Sequence, residues 1–128
     1  MSSSRASKRR KSVLIIIDDH DKRVRLRKSC EERHGLHVET AANPKEGLDL
    51  LHKWEPPDFI LLSSDPLPLM SFDEFLDAKS KEPKFAKVPV VLVSQEPVVP
   101  LPRTVAGEVF SPVSNKDLAV LAEQFCPE

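Results

Sequence analysis

The chain has 128 residues, 40% of them apolar and 30% charged, which makes one ordinary soluble domain with a single core and leaves too little length for two. No uninterrupted apolar run approaches the roughly 18 residues of a membrane helix, and the opening MSSSRASKRRKS lacks the apolar stretch of a secretory signal. The net charge of −1 is unevenly spread: the first twelve residues hold Arg5, Lys8, Arg9, Arg10 and Lys11 and no acid, so 14 basic residues face 20 acidic ones in the remainder, a balance of −6.

Residues 1–12 are therefore expected to be a disordered basic tail, with a weak electrostatic contact to nucleic acid or another anionic partner as the alternative. Residues 13–128 form the expected domain. Cys30 and Cys126 fit unpaired thiols in a reducing cytoplasm.

The run SVLIIIDD (12–19) predicts a strand buried on both faces that stops at two aspartates. Residues 21–34 lack Gly and Pro and precede Gly35, which predicts a helix with glycine just past its end. This helix is polar, with Leu26 and Cys30 as its only well-spaced apolar pair. LHVETAA (36–42) predicts a strand. NPKEGLDLLHKW (43–54) follows as a helix with Asn43 as N-cap, Pro44 in the first helical position, and Leu48 and Leu51 on the buried face.

DFILL (58–62) is the next strand, and SFDEFLDAKS (71–80) a short helix carrying Phe72, Phe75 and Leu76. VPVVLVS (88–94) is a second strand buried on both faces. Pro97, Pro100 and Pro102 forbid a regular helix between Gln95 and Arg103. EVF (108–110) predicts a last short strand. SNKDLAVLAEQF (114–125) predicts an amphipathic helix capped by Ser114, apolar at Leu118, Leu121, Ala122 and Phe125.

Alternating strands and helices imply a parallel sheet covered on both faces, because parallel strands need crossovers. Ligand sites in such sheets lie beyond the carboxyl ends of the strands, where strand order reverses. The candidates there are Asp18, Asp19, Ser63, Asp65, Ser94 and Ser111. His20, His34, His37 and His52 show no ligand spacing and are expected at the surface. No P-loop, Gly-rich nucleotide fingerprint or Ser-His-Asp order is present, and three glycines give little from which to build a phosphate cradle.

From the tail to the end, the chain resembles the response-regulator receiver domain of two-component signalling. Four features carry the resemblance in order: Asp18-Asp19 ending the first strand, PDFILL leading to a third-strand site, VPVVLVS ending in a hydroxyl residue, and GEVFSPV near the end. The resemblance implies a flavodoxin-like (βα)5 doubly wound five-stranded parallel sheet. Its fourth helix is expected to be shortened or replaced by the proline-rich segment.

Family members hold Mg²⁺ with the acidic pair and a third-strand aspartate that accepts the phosphoryl group. That aspartate falls at Ser63, whose neutral hydroxyl is neither an ionised nucleophile nor a carboxylate ligand. Ser94 keeps the hydroxyl position of the fourth strand. Ser111 replaces the lysine that neutralises the phosphoryl group, and Glu108 stands where an aromatic residue swings inward on activation.

The resemblance thus implies a pseudo-receiver with no enzymatic activity, a phosphorylation-independent protein-interaction module of bacterial signalling. The alternative is a phosphorylatable regulator that uses Asp65 as acceptor after a two-residue shift. No cofactor is expected beyond a weak or absent Mg²⁺ site at Asp18 and Asp19, with Asp65 as a third oxygen donor. The expected partner is a signalling protein, contacted around Val98, Val99, Leu101 and Glu108. Those apolar residues either fold back over the space of the lost helix or form an exposed ridge. In the same comparison Arg23, Arg27 and His34 occupy helix positions that usually pack inward, either snorkelling over apolar surface or forming an interaction face.

Overall fold

The structure, a computed structural model, describes residues 11–65 and 69–126. Ten of the twelve residues assigned to the tail lie outside the described residues. Ser12, counted with the tail and also as the first residue of the predicted strand, opens β1 (Ser12–Ile16), and its backbone N–H donates to Asp58 Oδ2 at 2.7 Å. The elements that follow are α1 (His20–His34), β2 (His37–Ala41), α2 (Pro44–Lys53), β3 (Phe59–Ser63), α3 (Phe72–Ser80), β4 (Val90–Ser94), β5 (Gly107–Phe110) and α4 (Asn115–Phe125).

All four strand pairings are parallel, in the order β2-β1-β3-β4-β5. The period of two along each strand sends alternate side chains to opposite faces. Val13, Ile15, Phe59, Leu61, Val91 and Val93 meet Leu26 and Cys30 of α1 and Leu118 and Leu121 of α4. Leu14, Ile16, Ile60, Leu62, Val90 and Leu92 meet Leu51 of α2, Phe75 and Leu76 of α3, and Phe85. Two cores share one sheet, which explains why the central strands are apolar without alternation.

The helix boundaries follow the capping chemistry. Asn43 Oδ1 accepts from the N–H of Glu46, and Glu46 Oε1 accepts in return from Ala42 N–H at 2.7 Å. Ser71 with Glu74 and Ser114 with Asp117 form complete capping boxes for α3 and α4. Gly35 ends α1 at φ 63°, where a side chain would be strained. Gly47 serves another need: a Cβ there would lie 2.5 Å from Ile16 Cδ1, so glycine lets α2 approach β1.

Between β4 and β5 the described chain forms no helix, as the prolines require. Val98 and Val105 pack against the second core in its place. The segment is anchored by Val98 N–H, which donates to Glu108 Oε2 at 3.0 Å.

Candidate functional site

The strand order reverses around β1 and β3, and a hollow of about 230 Å³ opens beyond their carboxyl ends. Asp18 and Asp19 approach from the turn after β1, Ser63 and Asp65 from the end of β3, Ser94 and Gln95 from the end of β4, and Ser111 from the end of β5. The sheet therefore gathers the six strand-end candidates at one place. Lys22, from the first turn of α1, is the one cation among the described lining residues. It also lines the adjoining hollow with Ser111 and Pro112. The sequence reading missed Lys22, because its position becomes telling only once the helix start is fixed.

Asp19, Ser63, Ser94 and Ser111 have local work. Asp19 is the N-cap of α1, and its Oδ1 accepts from Lys22 N–H at 3.0 Å. That bond, with smaller help from the Asp21 N–H and from Lys22 and Arg25, holds its carboxyl below the ordinary carboxylate value, against a weaker opposing effect of burial. The helix accordingly begins at His20, one residue before the expected start. Ser63, buried at the end of β3, accepts from Asp65 N–H at 3.1 Å, so its hydroxyl turns the chain out of the strand. Ser64 Oγ donates to the buried Ser94 Oγ at 2.7 Å, so the hydroxyl that the resemblance assigned to a phosphoryl oxygen already accepts a bond from its neighbour. Ser111 N–H donates to Ser94 O at 2.8 Å and carries the β4–β5 ladder past Phe110.

Arg23 is half-buried. Its Nη1 donates to the carbonyls of Ile17 at 2.7 Å and Asp18 at 3.0 Å, covering the end of β1. Arg27 is exposed and pairs with Glu31 one turn along at 3.2 Å. His34 departs from the expectation of four surface histidines. It is half-buried, and its Nε2 is buried without a hydrogen-bond partner, at a helix end that packs into the first core.

Receiver domains imply a magnesium ion in this hollow, and the residues present do not fit one. Among the described residues no three carboxylate, imidazole or thiolate side chains come together as a metal site. Asp19 spends one carboxylate oxygen, Oδ1, on the helix cap, and Ser63 supplies a neutral oxygen where an ionic ligand is needed. The expected oxygen set of Asp18, Asp19 and Asp65 surrounds the hollow without converging on a point.

The expected partner residues divide. Val98 is half-buried on the second core, Val99 is 85% exposed and Leu101 38% exposed. Glu108 is half-buried and holds the loop. Phe110, 44% exposed at the end of β5, joins this side of the molecule and was missed, because an apolar residue in a short strand is read as core. Cys30 and Cys126 are both buried, with no disulfide between them.

No protein-family model and no curated protein sequence matches the chain. Solved structures do. The Vibrio cholerae chemotaxis protein CheY4 superposes with a TM-score of 0.81 at 20% identity, covering 91% of this chain and 99% of its own. A two-component response regulator from Legionella pneumophila gives 0.81 at 17% identity over 92% and 99%. The receiver domain of a sensor histidine kinase from Pseudomonas aeruginosa, with a magnesium ion coordinated in its active-site cleft, gives 0.80 at 12% identity over 94% and 100%. This chain has the five-stranded receiver fold.

Proposed function

We propose that this protein is a pseudo-receiver, a protein-interaction module of two-component signalling that works without phosphorylation and catalyses no reaction. The observation that carries the reading is Ser63. The residue at the end of β3, where the resemblance puts the acceptor, is a buried neutral hydroxyl already engaged by Asp65 N–H. An acyl phosphate forms on a carboxylate, so this position lacks the nucleophile. Three further arrangements support the same reading: Ser94 is paired with Ser64, Ser111 carries no charge, and Glu108 is tied to the loop. The partner is a signalling protein met on the β5 side, where Val99, Leu101 and Phe110 are exposed.

A second reading rests on Asp65, which lines the same hollow as Lys22. It is a carboxylate with a cation at hand, and it would make the chain a phosphorylatable regulator. Acetyl phosphate separates the two. The proposed function expects no gain of a phosphoryl group by intact mass, with or without magnesium. A gain that Asp65→Asn abolishes establishes the second reading instead.

A further inference from the structure

A second cavity lies at the opposite end of the sheet, away from the strand-end hollow. It encloses about 290 Å³ beside the amino ends of β1 and β2, the last turn of α2 and the segment that leads into β3. Its walls are apolar: Val13, Leu14, Leu50, Leu51, Pro56 and Pro57. Its polar lining includes Glu39 and Glu55, and Trp54, 51% exposed, lines it as well.

The described lining of this cavity carries two carboxylates, Glu39 and Glu55. No lysine or arginine is among its described lining residues, and its one basic ring, His37, lies 2.9 Å from Glu39 through Nε2. The carboxyl end of α2 closes at Trp54 and brings the negative end of the helix dipole to the edge of the cavity, partly offset by Lys53 in the last turn and by Lys84, whose Nζ donates to His52 O at 2.6 Å. An exposed indole adds the negative face of its π-system, to which cations are drawn. The volume sits at the lower edge of the roughly 300–1,000 Å³ range of ligand pockets, the size for a single ring with a short arm.

We propose that this cavity binds a small organic amine with an apolar, ring-sized body. The body fills the space between Leu50, Leu51 and the two prolines, and the ammonium group lies between the Trp54 ring and the carboxylates of Glu39 and Glu55. This site is independent of the strand-end hollow and of the proposed interaction function.

Trp54 is the only tryptophan in the chain, so its fluorescence reports on this cavity alone. The full chain is titrated with phenethylammonium and with its charge-reversed counterpart 3-phenylpropionate. The expected result is a saturable change with the amine and binding at least about tenfold weaker with the acid. The double substitution Glu39→Gln, Glu55→Gln should weaken the amine about tenfold with its unfolding midpoint unchanged. Equal responses to amine and acid, no saturable response to the amine, or full-strength binding by the double variant would each overturn the proposal. A chain without residues 1–10 that binds the amine about tenfold more tightly would show that the basic segment next to Lys11 is the natural occupant, and would also overturn it.

Discussion

Asp19 shows a single side chain claimed by two kinds of chemistry. At the end of an apolar strand it looks like a metal ligand, and in the structure its carboxylate closes the first turn of α1. Asp19→Ala should therefore lower the melting midpoint, while Asp19→Ser, another good N-cap, should keep most of it. The pH dependence has a definite sign. Because the cap depresses the folded carboxyl below its ordinary value of 3.8, its stabilisation is present above that pH and is lost as pH falls through the lowered value. Thermal melts of the wild type and Asp19→Ala should converge in that acid range. Cys30 shows the opposite displacement. Burial first, then the nearby Glu31 and Cys126, push its thiol from 9.0 to about 12. The unfolded thiol ionises first, so stability is unaffected below about pH 9 and declines between 9 and 12 as the unfolded chain alone loses its proton. In a Cys126→Ser background, Cys30 should resist iodoacetamide at pH 8.5 and react once urea unfolds the protein. Residue identity showed which positions lacked acceptor chemistry. It could not show that Asp19, Ser63 and Ser94 already have partners, because the Ser94 bond joins elements distant in sequence, the Asp19 bond depends on where a helix begins, and the Ser63 bond on how the chain turns out of β3.

The segment between β4 and β5 shows what proline can and cannot announce. Three prolines exclude a helix, and the structure forms none there. The direction of each apolar side chain was not legible, because an irregular backbone has no period from which to read a buried face. The structure separates neighbours: Val98 enters the second core and Val99 faces water. Val98→Ser should cost about 1–2 kcal/mol through lost burial and an unpaired hydroxyl, and Val99→Ser should stay within about 0.5 kcal/mol, both read by urea unfolding. If Val99→Ser or Phe110→Ser abolishes partner capture at unchanged stability, the interaction surface lies on this side. The other elements were legible within a residue or two, because apolar period, caps and Gly35 all agreed. Among the helices only α1 began early, for the reason Asp19 supplies.

At the scale of the molecule, a single sheet carries two cores, and neither can dissolve without exposing the other face of the same strands. Leu61 and Leu62, adjacent in β3, are both fully buried and belong to opposite cores. Leu61→Ala and Leu62→Ala should each cost about 3 kcal/mol, and each variant should still unfold in one transition, coincident by Trp54 fluorescence and far-ultraviolet circular dichroism. Two separable transitions in either variant would show that the cores melt independently. The hydrogen bond from Val98 N–H to Glu108 couples this rigid sheet to the loop on its edge. A switch needs two arrangements of comparable free energy for a signal to choose between, and the proposed reading takes this loop, held by core packing at Val98 and by Glu108 at the same residue's backbone, as fixed in one. On the proposed reading, the information this protein carries is therefore its copy number: its partner's occupancy follows how much of the chain the cell makes, rising hyperbolically with supply and returning only as the protein is degraded or diluted.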